Sequence, residues 1–314
     1  MRIVFMGTPS FAVPSLRALV EQGYEVVAVV SQPDRPKGRK KLLTPTPVKE
    51  AAIELGIPVL QPERMRNEDA IAEVASYKPE LIVTAAYGQI LPKAVLELPQ
   101  HGCINVHGSL LPKYRGGAPI QRSIMNGESE TGVTIMYMAE GLDTGDMISS
   151  VAIPITDEDN AGTIFEKLSI AGAKLLIDTV PPLIRGELQA IPQDDSLATY
   201  APNLTREDER IEWDKSAISI FNQVRGLSPM AGAFTTLNGE VFKVWGCKPL
   251  SASSNAATGT IVSASADGIV VQTGEGQLLL TIIQPAGKRM MNVSDWIQGA
   301  RAIVGARFGE EVQA

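Results

Sequence analysis

The chain opens as short, nearly continuous apolar runs separated by amphipathic stretches. Arg2–Met6 and Tyr24–Val30 are apolar throughout most of their length, the pattern of strands covered on both faces of a parallel sheet. Gly7-Thr8-Pro9-Ser10 reads as a turn into a helix that ends near Gln22. Further along, Val48–Leu55 predicts a short helix and Ile57–Leu60 a short strand. Asn67 then stands as the cap of a helix through Ser76, and Glu80–Ala85 is another strand. Cys103–Val106 repeats the buried-strand pattern and gives way to a loop punctuated by glycine and proline. A helix from Ala118 to Met125 follows, with Pro119 suited to its first turn. Two more strands, Thr131–Met138 and Ile148–Ile155, lead to a long helix over Thr163–Gly186. Strands alternating with helices predict an α/β domain built on a Rossmann-like, mostly parallel sheet.

After Glu187 the pattern changes. Prolines, glutamines and the charged run Thr205–Arg210 (TREDER) mark an interdomain linker. A helix at Ser216–Arg225 opens a second region. Five strand candidates follow near Ala231–Leu237, Val241–Leu250, Thr258–Ala264, Ile269–Thr273 and Gln277–Ile283. Asn238-Gly239, Asp267-Gly268 and Glu275-Gly276 occupy short connections, as hairpins require. With a terminal helix over Ser294–Arg301, the pattern predicts a small OB-type β-barrel. The expected organisation is a catalytic domain over 1–188, a linker over 189–208 and the β domain over 209–314.

Composition narrows the function classes. The chain has 314 residues, enough for two cores, with 44% hydrophobic and 20% charged residues, as in a soluble enzyme. No apolar run approaches a membrane span, so no membrane partner is expected. The first strand begins at Arg2, leaving no room for a leader peptide. Cys103 and Cys247 lack CxxC spacing and the chain has two histidines, so no metal site is expected. The reading is of reduced thiols in a cytoplasmic protein, expected to be a monomer. Neither G-x-G-x-x-G nor a Walker A sequence occurs, which counts against dinucleotide and ATP chemistry.

Net charge is −7, of which −6 belongs to the first 204 residues. Against that background Arg35, Lys37, Arg39, Lys40 and Lys41 reverse the sign within seven residues. They sit at the middle of an unusually long connection, Ser31–Pro47, which Pro33, Pro36, Gly38, Pro45 and Pro47 keep irregular. Such a run is either a solvated loop or an arm that orders on RNA phosphates. Length and charge together favour the arm.

The candidate chemistry lies in Gly102–Gln121 (GCINVHGSLLPKYRGGAPIQ). Asn105 and His107 flank Val106, so both point to one face near the C-terminal end of a strand. That is the end at which open α/β sheets hold ligands. Glu140–Asp146 (EGLDTGD) leaves the next strand, and its Asp143 is placed to reach the histidine and orient the ring.

These two stretches, NVHGSLLPKYRGGAPIQ and ETGVTIMYMAEGLDTGD, closely resemble the folate-dependent formyltransferases. The resemblance extends from MRIVFMGTPSFAVPSL through the β-rich C-terminal third. It implies a catalytic Asn, His and Asp at Asn105, His107 and Asp143, and a folate-binding loop at Ser109, Leu110, Leu111 and Pro112. Tyr87, Gly88, Gln89, Ile90 and Leu91 leave a strand end that should line the same cleft, suiting a flat pterin ring. The resemblance implies 10-formyltetrahydrofolate as formyl donor and methionine on initiator tRNA as acceptor. It also implies that the basic loop contacts the tRNA acceptor end, with Arg39 at the functional position. Lys243, Lys248, Lys288 and Arg289 are further candidates for phosphate contacts. Relatives that formylate small amines share the catalytic domain. The long basic loop and the C-terminal β domain favour a tRNA acceptor, and the intact triad argues against a decayed, purely RNA-binding protein.

Overall fold

Ile3, Val4, Phe5 and Met6 are fully buried, and the strand they form lies inside a seven-stranded sheet. The computed structural model describes residues 1–37, 42–298 and 303–309, with Lys37 as backbone alone. Through Leu60 the elements are β1 (Arg2–Gly7), α1 (Val13–Glu21), β2 (Glu25–Val30), β3 (Arg35–Lys37), β4 (Leu42–Thr44), α2 (Pro47–Glu54) and β5 (Val59–Leu60). Then come α3 (Glu68–Ser76), β6 (Leu81–Ala85), α4 (Lys93–Leu96), β7 (Cys103–His107), α5 (Pro119–Met125), β8 (Glu130–Tyr137), β9 (Met147–Pro154) and α6 (Ala161–Ile184).

The sheet order is β5-β2-β1-β6-β7-β8-β9. Pairings from β5 to β7 are parallel, and those of β7 with β8 and β8 with β9 are antiparallel. This is the Rossmann-like, mostly parallel sheet that the apolar runs predict. The chain winds outward from β1 through β2 to β5, then returns to β6 on the other side. That reversal creates a crevice at the C-terminal edge between β1 and β6. Gly7 closes β1 there. A Cβ at that position would lie 2.8 Å from Ala12 Cβ and 3.0 Å from the Ala85 carbonyl oxygen, so only glycine lets these segments approach.

Two local expectations differ from the structure. Asn67 stands at the N-cap of α3, but its side chain makes no capping hydrogen bond. The described residues of the connection after β2 form more regular structure than its prolines suggest. β3 and β4 pair antiparallel, with Arg35 opposite Thr44, Pro36 opposite Leu43 and Lys37 opposite Leu42. Pro36 is compatible with this because a two-stranded ribbon leaves one edge of each strand free of ladder hydrogen bonds.

Contacts group Met1–Pro119, Glu130–Pro154 and Phe165–Ala201 as one unit, and Ile120–Ser129, Ile155–Ile164 and Pro202–Ala314 as a second. The second unit contains α7 (Arg206–Glu209), α8 (Ala217–Leu227), β10 (Ala233–Leu237), β11 (Glu240–Leu250), β12 (Ile261–Ser265), β13 (Gly268–Gln272), β14 (Gln277–Gln284), β15 (Met291–Asn292) and α9 (Val293–Ile297). Its strands form an antiparallel OB-type sheet in the order β10-β11-β14-β13-β12, with β15 added to β14. Ile220, Val224, Val244, Ile269 and Leu280 pack at its core, and Trp213 stacks on Phe308 with centroids 5.5 Å apart. The predicted terminal helix is described only as α9, because its expected end at Arg301 lies outside the described residues.

Both cysteines are free and buried, Cys103 on β7 and Cys247 on β11. Burial pushes the Cys103 thiol up to about 12 and raises that of Cys247 as well. The thiolate is the reactive form, so native protein at pH 8 is expected to resist alkylation at both sites. Mass spectrometry after iodoacetamide treatment should find modification only once the chain is unfolded.

Candidate active site

β7 delivers Asn105 and His107 to one face of the sheet, at its C-terminal end. Thr84 on β6 is the direct partner of Asn105, and Thr134 on β8 is the direct partner of His107. The Thr84 hydroxyl donates to Asn105 Oδ1 at 2.8 Å. His107 is buried between two acceptors. Its Nε2 lies 3.0 Å from the Tyr114 carbonyl oxygen, and its Nδ1 lies 3.7 Å from Asp143 Oδ2. The first contact puts a proton on Nε2. The second is an ion-pair distance, longer than a direct hydrogen bond.

Asp143 holds its place through the backbone. It adopts φ +50°, a left-handed conformation that aspartate tolerates better than most residues. Its Oδ2 accepts from the Gly116 amide at 2.8 Å. Gly116 itself sits at φ +124°, and a Cβ there would lie 2.6 Å from the Ala201 carbonyl oxygen. The glycine therefore lets the loop after β7 turn its amide toward the carboxylate while passing the 199–201 segment.

The Ser109–Pro112 loop is locked from within. The buried Thr134 hydroxyl donates to the Ser109 carbonyl at 2.7 Å and accepts from the Leu111 amide at 3.1 Å. Ser109 Oγ donates to the Lys113 carbonyl at 2.7 Å, and Lys113 donates its amide to the Leu110 carbonyl at 3.1 Å. The Pro112 carbonyl accepts from the Thr199 amide at 3.4 Å. The carbonyls of Ser109, Leu110, Pro112 and Lys113 thus each have a protein donor, which makes the loop a rigid wall.

Gln193 was not singled out from the sequence, because it falls in the stretch read as a linker. In the structure its amide nitrogen donates to the Asp143 carbonyl at 2.8 Å and to the Gly145 carbonyl at 2.7 Å. Its oxygen accepts from Arg115 Nε at 3.0 Å, and Arg115 Nη2 donates to Asp195 at 2.7 Å. Arg115 is 2% exposed, so the pair forms an internal brace under the Asp143 loop. The Arg115 amide donates to the Thr199 carbonyl at 2.8 Å and the Ala201 amide donates to the Arg115 carbonyl at 2.7 Å, which extends this contact to Ala201. Gln193→Ala is expected to lower turnover about tenfold, the scale of one or two lost hydrogen bonds, while leaving folate affinity within about twofold. Steady-state kinetics with a folate titration checks both.

The Tyr87–Leu91 loop leaves β6 at the same sheet edge. The Tyr87 ring is buried in a core cluster with Met6, Leu91 and Cys103. Its hydroxyl is the only buried side-chain polar atom without a partner among the described residues, and burial pushes its pKa up to about 12. The Tyr87 carbonyl accepts from Thr8 Oγ1 at 2.8 Å and Gln32 Nε2 at 3.3 Å. Gln89 is turned to the Met65 amide, which it accepts at 2.7 Å. Gly88 and Ile90 remain exposed, Ile90 at 84%. An exposed apolar side chain beside an exposed glycine fits a flat ring with polar edges.

The basic arm rises from the C-terminal end of β2, on the same edge of the sheet. Its root is tied by the buried Ser31 and Thr46 hydroxyls, 2.6 Å apart. Asp34 accepts from Lys49 at 2.6 Å and from Gln61 at 2.7 Å, and the Lys49 contact in particular holds its carboxyl below the usual range. Arg35 is exposed on β3; Arg39, Lys40 and Lys41 lie outside the described residues. In the second unit Lys248, Lys288 and Arg289 are exposed. Lys243 is engaged internally, donating to the Ala231 carbonyl at 2.6 Å beside the Trp245 ring. No group of three or more His, Cys, Asp or Glu able to hold a metal occurs among the described residues. No described helix is long and apolar enough to cross a membrane.

The family model described as formyl transferase matches residues 1–180, and that of the formyl transferase C-terminal domain matches 203–301. The chain belongs to the formyl transferase family. Methionyl-tRNA formyltransferase of Bacillus velezensis is 58% identical over 310 residues, covering 98% of each chain. The Bacillus subtilis protein of the same name is 56% identical over 309 residues, again covering 98% of each. Among solved structures, the sugar 3N-formyl transferase WlaRD, in the presence of dTDP and 5-N-formyl-THF, matches with a TM-score of 0.65 and 20% identity. That match covers 92% of this chain and 99% of WlaRD. HypX from Aquifex aeolicus in complex with tetrahydrofolic acid matches with a TM-score of 0.65 and 18% identity over 95% of this chain. The chain spans about half of HypX, 47% of its length. At these identities the two structures speak for the fold alone.

Proposed function

We propose that the chain transfers the formyl group of 10-formyltetrahydrofolate to the α-amino group of methionine on initiator tRNA, in the cytoplasm. The observation that carries the reading is the grouping of Asn105, His107 and Asp143 at one sheet edge, in a chain 58% identical to a methionyl-tRNA formyltransferase.

The reaction is acyl transfer. The amine lone pair attacks the formyl carbon, forming a C–N bond while the carbonyl electron pair moves onto oxygen. The tetrahedral intermediate collapses as that pair returns and the bond to folate N10 breaks. The amine loses one proton and N10 gains one, leaving formylmethionyl-tRNA and tetrahydrofolate. Asn105 Nδ2 serves the developing oxyanion, because Asn105 Oδ1 is already occupied by Thr84. With Nε2 of His107 held by the Tyr114 carbonyl, Nδ1, beside Asp143, is the ring nitrogen that supplies a second donor and a route for the proton. The attacking amine makes a protein nucleophile unnecessary, and the buried thiols of Cys103 and Cys247 fit that account.

The donor folate is assigned to the cleft between the rigid Ser109–Pro112 wall and the loop exposing Gly88 and Ile90. Arg35, Lys37, Arg39, Lys40 and Lys41 are assigned to the acceptor end of the tRNA, and residues 209–314 to the tRNA body. The competing reading is transfer to a small amine such as an amino-sugar nucleotide, which the match to WlaRD brings into view. Supplying labelled formyl donor with methionyl initiator tRNA or with a panel of amino-sugar nucleotides separates them. Label on the tRNA alone supports the proposal. Faster label transfer to a sugar amine would contradict it.

A further inference from the structure

We infer that Thr84 is a positioning residue for formyl transfer, setting which end of the Asn105 amide faces the reacting oxygen. The inference rests on the proposed role of Asn105 as oxyanion donor. An asparagine amide has a donor end and an acceptor end of nearly identical shape, so its side chain serves an oxyanion only in one of two orientations. Turned over, Oδ1 would face the developing negative charge and repel it. Something adjacent has to distinguish the two.

Thr84 is the direct cross-strand neighbour of Asn105 and is 2% exposed, so no bulk water competes for its hydroxyl. Three acceptors lie around that hydroxyl: Asn105 Oδ1 at 2.8 Å, the Ile104 carbonyl at 3.2 Å and Met138 Sδ at 3.2 Å. The hydroxyl has one proton. Thioether sulfur is a weak acceptor, and the carbonyl contact is the longer of the two oxygen contacts. With the amide turned over, the hydroxyl oxygen would accept from Nδ2 and its proton would fall to the longer Ile104 contact. The shorter Oδ1 contact takes the proton instead, which holds the amide oxygen toward β6 and leaves Nδ2 with both hydrogens for the cleft. Leu81, Ile82 and Val83 precede Thr84 on a fully buried strand, where a hydroxyl has no packing role that valine would not fill.

Thr84→Val tests this, since valine keeps the shape and the β-branch but removes the donor. The expected result is a fall in kcat of about tenfold, with KM for the folate and for methionyl-tRNA within about twofold. Thr84→Ser restores the hydroxyl and should recover kcat to within about threefold of the parent. Thr84→Ala serves as a second donor-free variant if valine impairs folding. The deciding measurement is a double-mutant cycle with Asn105→Ala. If Thr84 acts through the amide, Thr84→Val adds no further loss once Asn105 is alanine. Full activity in Thr84→Val or Thr84→Ala beside a crippled Asn105→Ala would overturn the positioning role and leave the oxyanion role intact. Equal losses in both backgrounds would also overturn it. Full activity in Asn105→Ala would sink the oxyanion role itself, and this inference with it.

Discussion

Asn105→Ala, His107→Ala and Asp143→Ala are each expected to reduce kcat by about 10²-fold or more while changing folate affinity little. In the proposed mechanism all three groups act on charge or protons that appear only as the tetrahedral intermediate forms, so their loss falls on the transition state. The structure adds a reason why each change should stay local. The Ser109–Pro112 wall is held by Thr134 and Thr199 rather than by the triad, and would keep its shape without them. Asp143 is the exception, because its carboxylate also accepts the Gly116 amide. Asp143→Asn keeps that acceptor and removes the charge, so comparing it with Asp143→Ala separates the electrostatic role from the loop-holding one. His107→Ala with near-parental turnover would remove the chemical assignment.

The second large effect concerns the arm. Neutralising Arg35, Lys37, Arg39, Lys40 and Lys41 together should flatten the dependence of tRNA affinity on salt. Each phosphate contact contributes about −0.7 to −0.9 to the slope of log K against log salt, so five contacts account for a slope near −4. Arg39→Ala alone should raise KM for methionyl-tRNA and lower kcat, through poorer placement of the amine. Folate binding should not change, because the arm root is tied by Ser31–Thr46 and Asp34–Lys49–Gln61 contacts that involve none of these five residues. Unaltered tRNA kinetics and salt dependence in the fivefold variant would reduce the run to a solvated loop.

How much of this was legible in the sequence depends on the kind of signal. Apolar runs such as Arg2–Met6 and Leu81–Ala85 declared buried strands, because a fully covered strand has no polar positions to interrupt it. Asn105 and His107 stood out for the same reason in reverse, as polar groups inside such a run. Asp143 followed from its glycine-bounded loop. Thr84 did not stand out, since threonine is an ordinary strand residue and its importance lies in register with a strand some twenty positions later. Gln193 and Arg115 were hidden too. Polar, proline-rich composition marks 189–208 as irregular, but it carries no information about whether that chain packs onto the first unit. Composition likewise offered Lys243 as a candidate phosphate contact without showing that its ammonium donates to the Ala231 carbonyl.

Direct transfer at the Asn105–His107–Asp143 centre is tested most sharply by following the formyl carbon itself through a single turnover. Excess protein, labelled 10-formyltetrahydrofolate and methionyl initiator tRNA would be mixed and quenched at intervals. The account predicts that label moves from folate to the methionine amino group with no label on protein at any time, and that His107→Ala slows this step without altering donor binding. Label accumulating covalently on the protein before it reaches the tRNA, or transfer at the parental rate in His107→Ala, would contradict it.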